Sequence, residues 1–221
     1  MNSRDKILQK LRSGMPQSQT EELPLQPDGN YFKDLREGAV DELISQFAEK
    51  LRALSGEFFV AQNEKEAASL LLEIFDTIDD GACLAQPHES IARVLALNEK
   101  LADRFEMLPG ELDGDLFAEY AAGLSTVDFL IARTGSIVLR NIGAGGRRLS
   151  VLPPVHIALA WQNQIVPSLD AALQAELITD SEWSYATIIS GPSRTADIQK
   201  NLVLGAHGPK QLIVVLIKKD R

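Results

Sequence analysis

The chain has 221 residues, a formal net charge of −9, one cysteine and 45% hydrophobic residues. That length suits one domain with a substantial core, and the acidic balance argues against nonspecific nucleic-acid binding, which needs a basic footprint. A lone Cys83 excludes an internal disulfide and fits a reducing compartment.

Taken in order, residues 3–12 have the spacing of a short amphipathic helix, with Ile7, Leu8 and Leu11 on one stripe. The proline-rich, polar stretch that follows, SGMPQSQTEELPLQPDGN, reads as an arm, so residues 1–30 are expected to form a helix plus flexible arm and 31–221 a single α/β domain. The charged N-terminus lacks the apolar core of a signal peptide, and the run LIVVLI is too short to span a bilayer. A cytoplasmic protein with no membrane partner is expected. From Asp34 to Leu54 the apolar residues recur at helical spacing until SGE ends the pattern. Strand and helix then alternate: EFFVA, NEKEAASLLLEIFDTI, ACLA, ESIARVLALNEKLADR, FEML and GDLFAEYAAGL, the last read as a helix. Such alternation predicts a layered α/β fold with a mainly parallel sheet. Beyond residue 125 six strand-like runs follow, VDFLIA, GSIVLR, VHIALA, QIVP, YATIIS and LIVVLI, with helices expected only at SLDAALQAELIT and TADIQKNLVL. Short links among the first four suggest hairpins or a mixed sheet.

Charge divides unevenly. Residues 1–125 carry 12 Lys+Arg against 24 Asp+Glu, whereas residues 126–221 carry 10 against 7. Arg133, Arg140, Arg147 and Arg148 flank the glycine-rich GAGG, so the C-terminal part is the better candidate to receive something negative. The alternative is an acidic solvated face and an average remainder.

The densest candidate is GPSRTADIQ, Gly191 to Gln199, between a strand-like and a helix-like run. Helix N-termini attract anions through unpaired amides. Gly191 permits close approach, Ser193 or Thr195 can cap or donate, Arg194 offers a planar fork, and Asp197 can orient it. A capped helix with a solvent-facing arginine is the competing reading. His207 and Gly208 in GAHGP either serve acid–base or oxyanion chemistry or meet the last helical carbonyls. Thr134, Gly135 and Ser136 sit where two strand-like runs meet, and Arg148 and Ser150 precede the Pro153-Pro154 corner and His156. His156 is either a structural hydrogen-bonder or a reacting group. GAGG precedes strand rather than helix, so it reads as a hairpin tip and not as a dinucleotide fingerprint. The histidines and Cys83 lack metal-ligand spacing, and one cysteine cannot hold an iron–sulfur cluster. No metal or cofactor of its own is expected.

Together ARTGSIVL, RRLSVLPPVHIALA, IVPSLDAAL and IISGPSRTADIQKNLVLGAHGPKQLIVVLI resemble the lactate utilization protein C family, built on the LUD domain. The resemblance implies an α/β fold like that of the phosphosugar isomerases and CoA transferases (NagB/RpiA/CoA transferase-like). It also implies a part in oxidising L-lactate to pyruvate beside iron–sulfur partner proteins. Relatives often carry an acid at the position of Arg133, and no catalytic set carries over. Three functions then compete. They are a subunit of a lactate-oxidising assembly binding a small anion, a stand-alone isomerase- or CoA-transferase-type enzyme, and an interaction module shaped by its Gly-Pro turns. The enzyme would need a carboxylate near the turn, and Asp197 and Asp128 are the acids closest to the motifs.

Overall fold

The computed structural model describes residues 39–78, 81–109, 117, 119–140, 147–173, 185–196, 202–204 and 208–218, together with Arg4. The expected N-terminal helix and arm, the Asp34–Ala39 start of the next helix apart from Ala39, and GAGG lie outside the described residues. First come α1 (Val40–Ala53), β1 (Glu57–Ala61), α2 (Glu64–Asp76), β2 (Cys83–Ala85), α3 (Glu89–Ala96), α4 (Glu99–Ala102) and β3 (Phe105–Met107). Next are β4 (Ala122–Thr126), β5 (Phe129–Ile131), β6 (Ser136–Arg140), α5 (Arg148–Val151), β7 (Val155–Trp161), β8 (Ile165–Val166) and α6 (Leu169–Ala172). The chain finishes with β9 (Ala186–Ile189), β10 (Arg194–Ala196), β11 (Leu202–Leu204) and β12 (Gln211–Ile217).

Six strands pair in the order β1–β12–β7–β4–β2–β3, every pairing parallel. The central strands are buried on both faces, which explains why VHIALA and LIVVLI read as continuous apolar runs rather than alternating ones. One face, with Val155, Ile157, Leu159 and Trp161 of β7, packs on α2, α3 and α4. The opposite face, with Ala158 and Ala160, packs on Ile44, Phe47 and Leu51 of α1 and on Leu130, Ile137 and Ile165 of a second sheet. That second sheet runs β8–β5–β6–β9 and contains the expected β5–β6 hairpin, with β8 added in parallel.

Four expectations need correction. The long helix over ESIARVLALNEKLADR is two, because Leu97 ends α3 and the Asn98 side chain caps Leu101 N–H to start α4. AAGL is not the end of a helix: Ala122 to Leu124 open β4, the small residues lying buried between β2 and β7. TADIQKNLVL neither begins nor ends as a helix, its residues 197–201 lying outside the described residues. Its ends form β10 and β11, an antiparallel pair in which Thr195 faces Val203. Ser193 N–H donates to Pro209 O (2.9 Å) and Arg194 is tied to Leu54, so tertiary bonds hold the start of the segment extended against its helical spacing. Nor does the chain around GAGG make a hairpin of β6 and β7, which belong to different sheets.

Candidate functional site

The motif residues gather first around the end of α1. That helix closes with a Schellman turn: Gly56 N–H bonds Leu51 O and Ser55 N–H bonds Arg52 O, both at 2.9 Å. Ser55 takes the left-handed conformation at φ 65°, a position glycine usually fills. Against this end lie two glycines that are themselves left-handed, Gly135 at φ 64° and Gly191 at φ 83°. A Cβ on Gly135 would come within 2.4 Å of Leu51 N, and one on Gly191 within 2.7 Å of Leu54 O. Both positions therefore exclude side chains twice over, by torsion and by space. Hydroxyls stitch the two segments together: Ser136 donates to Thr134 Oγ1 at 2.8 Å and meets Ser190 Oγ at 2.7 Å. Arg194 donates from Nη2 to Leu54 O. A guanidinium at a helix C-terminus meets carbonyls that carry about half a negative charge.

The turn at Gly191–Thr195 thus leads from β9 into β10, and no helix N-terminus opens onto it. Of the two features read there as anion-attracting, the amides at a helix start are absent. The arginine fork is present, with one nitrogen committed to the end of α1. The two Gly-Pro turns do come together, for Gly208 would place a Cβ only 3.0 Å from Ser193 Cβ. Asp197 and His207 lie outside the described residues, as does the side chain of Thr195.

The second gathering is buried. His156, second in β7, is fully enclosed, and its Nε2 lies 2.9 Å from Ser125 Oγ of β4. Among the described residues its Nδ1 has no hydrogen-bond partner. Burial pushes the imidazole down to about 4, so the ring is neutral at physiological pH. A neutral ring offers one donor and one acceptor. With one nitrogen taken by Ser125, the other is unmet, at a cost of about 1–3 kcal/mol for such a buried group. Over this pair sits α5, which packs on β4 and β7. Gly123, the register partner of His156, lets it lie flat: a Cβ there would come within 2.4 Å of Leu149 O. Ser150 is buried and donates to Arg147 O at 3.0 Å, while Arg148 points outward with its guanidinium 5.8 Å from the Phe117 ring.

Ser125 and Gly123 are the participants that no motif announced, whereas Ser190 stands in the IISGPSRT stretch without a role of its own in the sequence reading. Ser125 would have emerged only from placing AGLST on a strand, which sets Gly123 and Ser125 on one face. Asp128, weighed as a general base, is engaged: its carboxylate accepts Arg140 N–H at 2.6 Å and Arg140 Nε at 2.8 Å. Cys83 is buried and its thiol is pushed up to about 11 by burial, against a smaller pull from Arg104, which makes it inert rather than nucleophilic. Among the described residues no three His, Cys, Asp or Glu side chains cluster to hold a metal ion. No described helix is long and apolar enough to cross a membrane.

The LUD domain matches residues 44–217, a range that takes in both gatherings. An uncharacterized protein of Neisseria meningitidis serogroup B is 28% identical over 100% of this chain and 95% of its own. Lactate utilization protein C of Oceanobacillus iheyensis is 24% identical over 98% of this chain and 99% of its own, and lactate utilization protein C 1 of Bacillus mycoides is 35% identical over 49% of each. The crystal structure of a DUF162 family protein from Deinococcus radiodurans superposes with a TM-score of 0.61 at 20% identity, covering 82% of this chain and 99% of that one. That likeness carries the fold alone. With a domain match along most of its length and the motif glycines accounted for by the way they pack, the chain belongs to the LUD domain family.

Proposed function

We propose that the protein is a component of an L-lactate utilization system, working in the cytoplasm with iron–sulfur partner proteins in the oxidation of L-lactate to pyruvate. The observation that carries this reading is the likeness to a lactate utilization protein C along 98% of the chain. In this reading the chain brings no redox group of its own. Its single, buried Cys83 suits that division of labour, with electrons passing through clusters held by partners. Its contribution is to bind the small carboxylate or to scaffold the assembly. The motif residues Thr134, Gly135, Ser136, Ser190, Gly191 and Arg194 stiffen the end of α1, and Ser125 and His156 supply polar groups inside. A stand-alone isomerase or CoA transferase fits less well, since Asp128 is already bound by Arg140.

Affinity purification of the tagged chain from lactate-grown cells tests the assembly. Brown fractions carrying iron and acid-labile sulfide with stoichiometric partner chains are expected. A colourless chain recovered alone, at low and at moderate salt, would overturn the reading.

A further inference from the structure

His156 is a buried imidazole with one nitrogen spoken for and the other bare. It stands in a row across the sheet with Gly123 on one side and Leu212 on the other. Among the described residues no cation is bonded to it, so a carboxylate oxygen set directly against Nδ1 would lose its hydration without a counter-charge. A metal ion would need further ligands, and no such cluster exists among the described residues. What suits a neutral imidazole nitrogen is an uncharged oxygen. A hydroxyl serves whichever tautomer Ser125 selects, and a keto oxygen serves the tautomer with the proton on Nδ1.

The helix α5 is a single turn of four residues with no side-chain N-cap bond. Arg147 and Arg148 face outward and Leu152 just beyond is exposed, while Leu149 and Ser150 face in. Lifting α5 would uncover a strip of sheet floored by the bare backbone of Gly123 and by the Ser125–His156 pair.

We propose that His156 Nδ1 is the recognition atom of a small-ligand site beneath α5, taking the hydroxyl or keto oxygen on the second carbon of a small 2-hydroxy or 2-oxo acid. The identity of that acid rests on the lactate reading above; the site itself rests on the unmet nitrogen. The Ser125 hydroxyl fixes the tautomer and ring orientation, and α5 closes over the bound molecule.

The test uses the full chain with nitrogen-15-labelled histidine, titrated separately with L-lactate, pyruvate and propionate. Propionate has the carboxylate and carbon chain of lactate without the second-carbon oxygen. Lactate or pyruvate should move the His156 Nδ1 resonance, with propionate leaving it in place. His156→Gln keeps an amide near the Nε2 position for Ser125 but removes Nδ1, and should weaken lactate binding about tenfold. His156→Asn, which places its amide near Nδ1, should keep more of the affinity. Equal responses to propionate and lactate, or wild-type affinity in the Gln variant, would overturn the site. Should the Gln variant fail to fold, the wild-type resonances still decide. Growth on lactate restored equally by wild type and His156→Gln would remove this inference and leave the lactate reading standing.

Discussion

At the scale of the residue, His156 makes the clearest demand. Its imidazole titrates near 6.5 in an unfolded chain and at about 4 when folded. Between those values the unfolded state binds a proton that the folded state refuses, so stability must fall as the pH drops from about 6.5 toward 4. The limiting slope is about 1.4 kcal/mol per pH unit, and the total is about 3 kcal/mol. Denaturant midpoints of wild type and His156→Gln across that window isolate the effect, because carboxylates titrate alike in both. Parallel curves would mean that His156 is not buried neutral. Arg194 makes a different demand. If it caps the end of α1, Arg194→Ala should cost about 1 kcal/mol, a charge-assisted bond discounted for its exposure. A change within about 0.5 kcal/mol, the usual range for a surface arginine, would contradict the capping role. Both residues stand out in the sequence as chemistry in search of a purpose. Their partners do not: Ser125 lies 31 positions before His156, and Leu54 lies 140 before Arg194, so no local pattern joins them.

At the scale of the element, patterning does most of its work where a stretch answers to its own neighbours. The amphipathic spacing of α1 and α2, the apolar run of β12 and the SGE stop after α1 are local signals, and the structure follows them. It departs where distant contacts decide. The ends of TADIQKNLVL pair as β10 and β11 although Ile198, Leu202 and Val203 have helical spacing. Their extended course depends on bonds to Pro209 and to the distant Leu54 and on a left-handed Gly191, which no helical spacing within the stretch reveals. AAGL enters a strand because it fits the slot between β2 and β7, where Gly123 leaves room for α5. That slot yields a test of its own. Gly123→Ala would drive a methyl into Leu149 O, so α5 must lift, with a loss of about 1–3 kcal/mol as for other overpacked sites. Hydrogen exchange should accelerate at Leu152 N–H, which bonds Arg148 O at 2.8 Å, while β12 keeps its protection. Unchanged exchange at α5 would show that the helix does not rest on Gly123.

At the scale of the whole molecule, the parallel sheet with helices on one face and α1 plus a smaller sheet on the other is a scaffold that binds the motif segments to one another. Thr134–Ser136, Ser190–Arg194 and Gly208–Pro209 come from separate stretches and converge through α1 and the two Gly-Pro turns. This explains why a motif so specific in sequence can be rich in glycine and proline, since its first task is to pack backbone against backbone. The acidic balance of residues 1–125 stands against a slightly basic remainder, and association with a partner of opposite charge would be salt-dependent. Growth measures the proposed part in lactate utilization most directly. A bacterium deleted for its own lactate utilization protein C, with its partner proteins intact, is complemented with this chain and grown on L-lactate as sole carbon source. The account predicts restored growth on lactate at a level absent from the empty-vector strain, with growth on glucose alike in both. Folded, expressed protein that leaves the deletion strain unable to grow on lactate would contradict it.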